Sequence, residues 1–202
     1  MKTPPFPDNE VARIKALHDL LILDTEPEDR FDNITSYAKS RFGVDIALVS
    51  LVDTRRQWFK SACGLAGSET PRDISFCGHA ILQDDVMVIQ DARKDERFLD
   101  NPLVVGAPFI RFYAGAPLKL SNGHTVGTLC LIDPHPKRLE KEELEHLQVL
   151  AHMVSMELEH QGRIDNCREN CLYGQLPMAC PYKDPKFELP LQSNDKSAAS
   201  AS

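Results

Sequence analysis

The dipeptide Asn122-Gly123 lies between two apolar runs, Ala114 to Leu120 and Thr125 to Ile132, and no other feature constrains the fold as much. Asn and Gly tolerate the positive φ angles that a tight hairpin turn demands, so these runs read as two antiparallel strands. A second apolar run, Ile46 to Val52, has strand length and reads as largely buried. Asp53 to Arg56 then make a turn, and Gln57 to Ala62 return beside it. Val86 to Ile89 reads as a further short strand.

Helical patterns surround these strands. Asp8 is placed to cap a helix in which Val11, Ile14, Leu17 and Leu21 recur at helical spacing, running to about Leu23. Thr25 and Glu28 form a capping-box pattern ahead of Phe31, Ile34, Tyr37, Ala38 and Phe42, and Gly43 stops that helix. Gly64 to Arg72 reads as a polar loop. Asp73 or Ser75 then caps a short helix carrying Phe76, Ala80 and Ile81. From Asp91 to Phe109 the chain is mixed, broken by Asn101-Pro102 and Gly106, and suits one wall of a pocket. Pro134 and Pro136 end the sheet. A long helix follows from about Arg138 to Arg163, with Leu144, Leu147, Ala151, Val154 and Leu158 on one stripe and Leu139, Leu150 and Met153 on a second flank. Helices segregated around an antiparallel sheet make an α+β domain. The boundaries expected are an arm over 1–7, a domain over 8–163, and a Cys- and Pro-containing tail over 164–202, disordered from about 192.

Composition narrows the function. The 202 residues suit one domain with an appendage. Aromatic residues are only 7%, so aliphatic side chains must fill the core. The net charge is −7 with Lys and Arg scattered among acids, which argues against a nucleic-acid partner. No apolar window approaches the eighteen residues or so of a membrane span, and Met1 to Phe6 lack a signal peptide's apolar run. The expected compartment is the cytoplasm.

Six cysteines in such a chain are free thiols, redox groups or metal ligands before they are structural disulfides. In Ser75-Phe76-Cys77-Gly78-His79 a thiol and an imidazole stand two residues apart near a helix start, where the dipole favours a thiolate. That suits a redox or ligand-sensing thiol. A space-filling cysteine beside a hydrogen-bonded core histidine accounts for the same residues. Asp91, Arg93, Asp95, Arg97, Asp100 and Arg111 read either as a solvated face or as a pocket rim where an arginine grips a carboxylate or phosphate. His160, Cys167 and Cys171 share one helical face if the last helix continues. With Cys180 they would supply the four nitrogen and sulfur ligands that favour zinc, although Gly162, Asn166 and Asn170 weaken the helix and the spacing matches no standard zinc ribbon.

At Ile46 to Asp53 (IALVSLVD), Arg56 to Lys60 (RQWFK), Glu69 to Ile81 (ETPRDISFCGHAI), Arg111 to Leu118 (RFYAGAPL) and Gly127 to Asp133 (GTLCLID) the chain resembles the GAF domain family. The likeness is nearest to the N-terminal domains of bacterial sensor histidine kinases and diguanylate cyclases, and it covers about residues 10 to 162. It implies a central antiparallel sheet of five or six strands, terminal helices on one face, and a pocket roofed by short helices on the other. From the family's pocket walls, Phe76, Cys77, His79, Asp91, Phe98, Arg111 and Tyr113 are the expected ligand contacts.

The resemblance also implies a non-catalytic sensory or regulatory domain that binds a small molecule or a partner and signals through its terminal helices. The two apolar stripes of the last helix are more than one sheet face needs to bury and predict a homodimer through the first helix and the helix from Arg138 to Arg163; the resemblance points the same way. The sequence carries no ATP-binding glycine boxes and no GGDEF signature, so output is expected through a separate partner or the tail. The competing expectation is a thiol switch, or an enzyme like the family's free methionine sulfoxide reductase, using Cys77 and its neighbours. Where that enzyme carries its catalytic thiol, this chain reads Leu99-Asp100-Asn101-Pro102. The downstream Cys-His pair of bilin-binding relatives is also missing.

Overall fold

Strand alternation builds the sheet. In the computed structural model, which describes the backbone of residues 1–172 and the side chains of residues 1–160, six strands pair in the order β3-β2-β1-β6-β5-β4. They are β1 (Ile46–Val52), β2 (Arg56–Cys63), β3 (Glu69–Pro71), β4 (Met87–Ile89), β5 (Phe112–Lys119) and β6 (Thr125–Asp133). Every pairing is antiparallel. β1 to β3 form one meander and β4 to β6 another, and β1 and β6 join them along a central seam with Ile46 opposite Ile132 and Leu51 opposite Gly127. The hairpin between β5 and β6 forms as expected, but through a loop over 120–124 in which Gly123 alone holds a positive φ, +85°, and its amide donates to the Leu120 carbonyl.

Residues two apart along each strand share a face. Ala47, Val49 and Leu51 of β1, with Leu129 and Leu131 of β6, pack under α1 (Glu10–His18), α2 (Asp29–Phe42) and α5 (Lys141–Leu172) in a mainly aliphatic core that also holds Leu17, Phe31, Leu147, Val154 and Leu158. Ile46, Leu48 and Val52, with Cys130 and Ile132, face the other way. They meet α3 (Phe76–Ala80) and the segment containing α4 (Pro102–Val105), and Phe76, Phe98, Ile110 and Tyr113 complete this second core. The α+β architecture is therefore the expected one, with six strands.

Local expectations needed correction where a side chain found a better partner than the local backbone. α1 ends at His18 rather than Leu23, and the chain then turns with positive φ at Leu21 and Asp24. Asn9, not Asp8, occupies its N-cap, with no side-chain capping bond. Val11 is 87% exposed, while Arg13 takes the buried position. Arg13 and Arg72 share the Glu10 carboxylate. Burial raises the pKa of Glu10, but bonds from the two guanidinium groups outweigh that and lower it.

The Thr25/Glu28 capping box does not form. The hydroxyl of Thr25 donates to the Ile22 carbonyl and accepts from the buried Lys60 ammonium, and Glu28 pairs with the same ammonium at 2.6 Å. Gly43 does stop α2, in the left-handed conformation at φ +57°. The polar stretch Gly64 to Arg72 contains β3, which pairs with β2. On α5 the second apolar flank is not Leu139, Leu150 and Met153: Leu139 and Leu150 are each 6% exposed and belong to the core. Met153 is exposed, and with Val149 and Met156 it forms an outer stripe at helical spacing. No helix among the described residues is long and apolar enough to cross a membrane.

Candidate functional site

Five of the seven expected pocket residues converge in the second core. Ser75 caps α3, its hydroxyl accepting from the Gly78 amide at 2.8 Å. This cap presents Phe76 and Cys77 to the sheet. The Phe76 ring stacks on Phe98 with centroids 3.9 Å apart and lies 5.2 Å from Tyr113. His79 meets the edge of Phe98 at 5.1 Å. Phe76, Phe98 and Tyr113 are at most 2% exposed, so these rings fill the space between roof and sheet.

A polar patch lies under the rings. The Tyr113 hydroxyl donates to the Cys77 sulfur at 3.4 Å, and the Cys77 and Cys130 sulfurs are 3.8 Å apart. Tyr113 reaches Cys77 only because residue 115 is glycine: a Cβ there would stand 2.2 Å from the Tyr113 hydroxyl. Ser50 and Thr128 face each other across β1 and β6, both fully buried. Neither hydroxyl makes a hydrogen bond of regular geometry, yet both favour the ionised form of Cys77. Burial raises the Cys77 pKa, but the nearby polar hydrogens of Cys130, Thr128, Tyr113 and Ser50 outweigh this and lower it. Cys130 shifts the opposite way, because it donates to Cys77 and is itself buried. Cys77 is thus the more acidic thiol of the pair.

The arm Met1–Pro7 closes the roof from outside. The Lys2 amide donates to the Arg97 carbonyl at 2.9 Å, and the Lys2 carbonyl lies 2.9 Å from Nε2 of His79. Pro4 is buried on Gly78, where a Cβ would stand 2.7 Å from the proline ring, and Phe6 lies over the Arg72 guanidinium. Burial lowers the His79 pKa; the bond to Lys2 opposes this and the Arg97 charge adds to it.

The other two expected contacts are placed elsewhere. Asp91 caps a 3-10 turn over Ala92–Lys94 and binds the Arg93 guanidinium at 2.8 and 2.9 Å. It lines an open groove of about 720 Å³ with Arg93, Lys94, Asp95, Lys137 and Arg138. Arg111 donates to the carbonyls of Val104 and Ile110 at 2.8 and 3.0 Å, so its guanidinium stitches a loop. Arg97 pairs with Asp95, so the two aspartate–arginine pairs of this segment, Asp91–Arg93 and Asp95–Arg97, close on themselves. The residues that sequence reading missed are Ser50, Thr128 and Cys130. Their signal was a hydroxyl or thiol at alternate positions of otherwise apolar strands.

His160 is on α5, whereas the side chains of Cys167 and Cys171, and the whole of Cys180, lie outside the described residues. Among the described residues no three metal-ligating side chains come together.

Comparison with known proteins agrees with this geometry. The family described as GAF domain matches residues 26–158. A cyclic di-GMP phosphodiesterase of Pseudomonas aeruginosa is 43% identical over 155 residues, 76% of this chain and 26% of that protein. The chain therefore spans about a quarter of that relative's length. The solved GAF domain of an Acinetobacter phosphoenolpyruvate-protein phosphotransferase superposes with a TM-score of 0.57 at 17% identity, covering 77% of this chain and 98% of that one. Free methionine-R-sulfoxide reductase of Neisseria meningitidis, solved with its substrate, superposes with a TM-score of 0.55 at 20% identity, covering 82% and 99%. Such identities show a shared fold.

Proposed function

The chain belongs to the GAF domain family, and on that premise we propose that it is a non-catalytic regulatory module of bacterial signal transduction, acting in the cytoplasm. The observation that carries this reading is the 43% identity to a phosphodiesterase of which the matched part is only 26%. A segment that makes up the smaller part of a signalling enzyme fits a regulatory element better than a hydrolytic one. The reductase reading has weaker support, since the likeness to that enzyme is one of fold and Leu99-Asp100-Asn101-Pro102 offers no thiol.

The ligand is a small molecule seated between the sheet and α3, touching Phe76, Cys77, His79, Phe98 and Tyr113. Because the Phe76–Phe98 stack occupies that space, binding is coupled to parting the two rings, and the displacement is the signal. The module works as a homodimer, and its contact is the exposed stripe Val149, Met153 and Met156 of α5.

Two measurements test this. Free methionine sulfoxide incubated with the protein and dithiothreitol is expected to stay unreduced, and turnover that depends on Cys77 would replace the regulatory reading with the enzymatic one. Sedimentation at tens of micromolar is expected to show a dimer that Met153→Glu with Met156→Glu converts to folded monomer. A wild type already monomeric there removes the dimer.

A further inference from the structure

Beyond its place in the proposed ligand site, Cys77 forms with Cys130 a thiol pair whose redox chemistry neither ligand binding nor dimer formation uses. We propose that these two residues are a redox-active dithiol that closes to a disulfide tying α3 to β6 when the protein meets a hydroperoxide. The sulfurs are already 3.8 Å apart, and a disulfide bond is about 2.05 Å long. β6 is held on both sides, by β1 and β5, so the approach belongs to α3. That helix is five residues long and is fixed by the Ser75 cap and by Pro4 of the arm. Pro4 covers Gly78, the neighbour of Cys77, and lifting it would uncover α3 from the solvent side.

The chemistry divides between the two thiols. The more acidic Cys77 is the attacking thiolate, ringed by the hydroxyls of Tyr113, Thr128 and Ser50. It attacks one oxygen of hydrogen peroxide; the O–O bond breaks, Cys77 becomes a sulfenic acid, and hydroxide leaves and takes up a proton to become water. The Cys130 thiol then attacks the sulfenic sulfur. The S–S bond forms, the S–O bond breaks, and water departs with the Cys130 proton. Each sulfur gives up one electron, and the peroxide is reduced by two. Cys63, half-buried at the end of β2 opposite Ala47, is not part of this patch and serves as an internal control.

The test uses the full chain in native buffer, with hydrogen peroxide raised until Cys63 is oxidised. The protein is then denatured, alkylated and digested with trypsin without reductant. The expected product is peptide Asp73–Arg93 linked to peptide Leu120–Lys137, lighter by two hydrogens than their sum, in most of the sample and reversed by dithiothreitol. With Cys130→Ser, Cys77 is expected to stop at a sulfenic acid that dimedone traps. Recovery of Cys77 and Cys130 as separately alkylated peptides while Cys63 is oxidised overturns the proposal. So does a link that forms only in urea. Both of these readouts come from the wild type and stand whether or not the variant folds.

Discussion

The two faces of the sheet are covered by opposite means. The face under α1, α2 and α5 is sealed by regular helices, two of them long, through apolar side chains, among them Leu17, Phe31, Leu147 and Val154. The face under α3 is sealed by a five-residue helix, a loop segment and a terminal arm, and its core mixes stacked rings with thiols and buried hydroxyls. Long amphipathic helices bury enough surface to hold themselves in place. The roof depends instead on single bonds at particular points: the Ser75 cap, the Asn101 amide on the Ile74 carbonyl, and the Lys2 contacts to His79 and Arg97. Rigidity and the capacity to open are thus divided between two sides of one sheet.

The largest effect tests whether the faces truly differ. Phe31→Ala on the helix face is expected to cost about 4 kcal/mol, because neighbours fixed by long helices cannot collapse into the cavity. Phe98→Ala on the roof is expected to cost about 3 kcal/mol, since a loop-built wall relaxes inward. Urea unfolding compares them directly, and equal losses would break the comparison. Next, Glu28→Gln is expected to cost about 2 kcal/mol by stripping the buried Lys60 of its counter-charge. Lys60→Met should recover part of that loss in a double-mutant cycle.

Smaller effects belong to the roof. Ser75→Ala removes the cap on Gly78 and the bond to Gln57, for about 1 kcal/mol. Its sharper readout is faster amide exchange confined to α3; exchange spread over the whole sheet would deny that the roof opens alone. The smallest effect is a pH dependence. His79 has a lowered pKa in the folded protein, so below its unfolded value near 6.5 the unfolded chain binds more protons and stability falls. The window runs from about pH 6.5 down to the folded value, and His79→Asn should flatten it in thermal melts.

What the sequence revealed follows the range of the forces involved. The Asn122-Gly123 hairpin and the Gly43 stop were legible because each rests on the conformational preference of the residue itself. The Thr25/Glu28 capping box was misleading because its partner, Lys60, comes from a distant strand. Leu150 looked like an outer flank because the width of the buried stripe depends on how α5 is rotated against the sheet. The site was legible as a cluster of residue types, and Phe76, Cys77, His79, Phe98 and Tyr113 do meet. Whether aromatic residues line a space or fill it depends on their rotamers, which no spacing encodes. Asp91 and Arg111 left the cluster because local backbone and side-chain partners were nearer.

The seam between β1 and β6 bears on how fast the molecule assembles. Within the meanders the connections are short except for the segment from β4 to β5, whereas residues paired across the seam are separated by about eighty residues of chain. Closing a loop of that length costs entropy before any contact across it is gained, and mean contact separation governs the speed of small domains. The slow step expected from this separation is the pairing of the two halves of the sheet along Ile46–Leu51 and Gly127–Ile132. Until it happens, the central strands of the finished sheet are the unprotected edges of its halves, and this interval is when the chain is most prone to pair with another copy of itself.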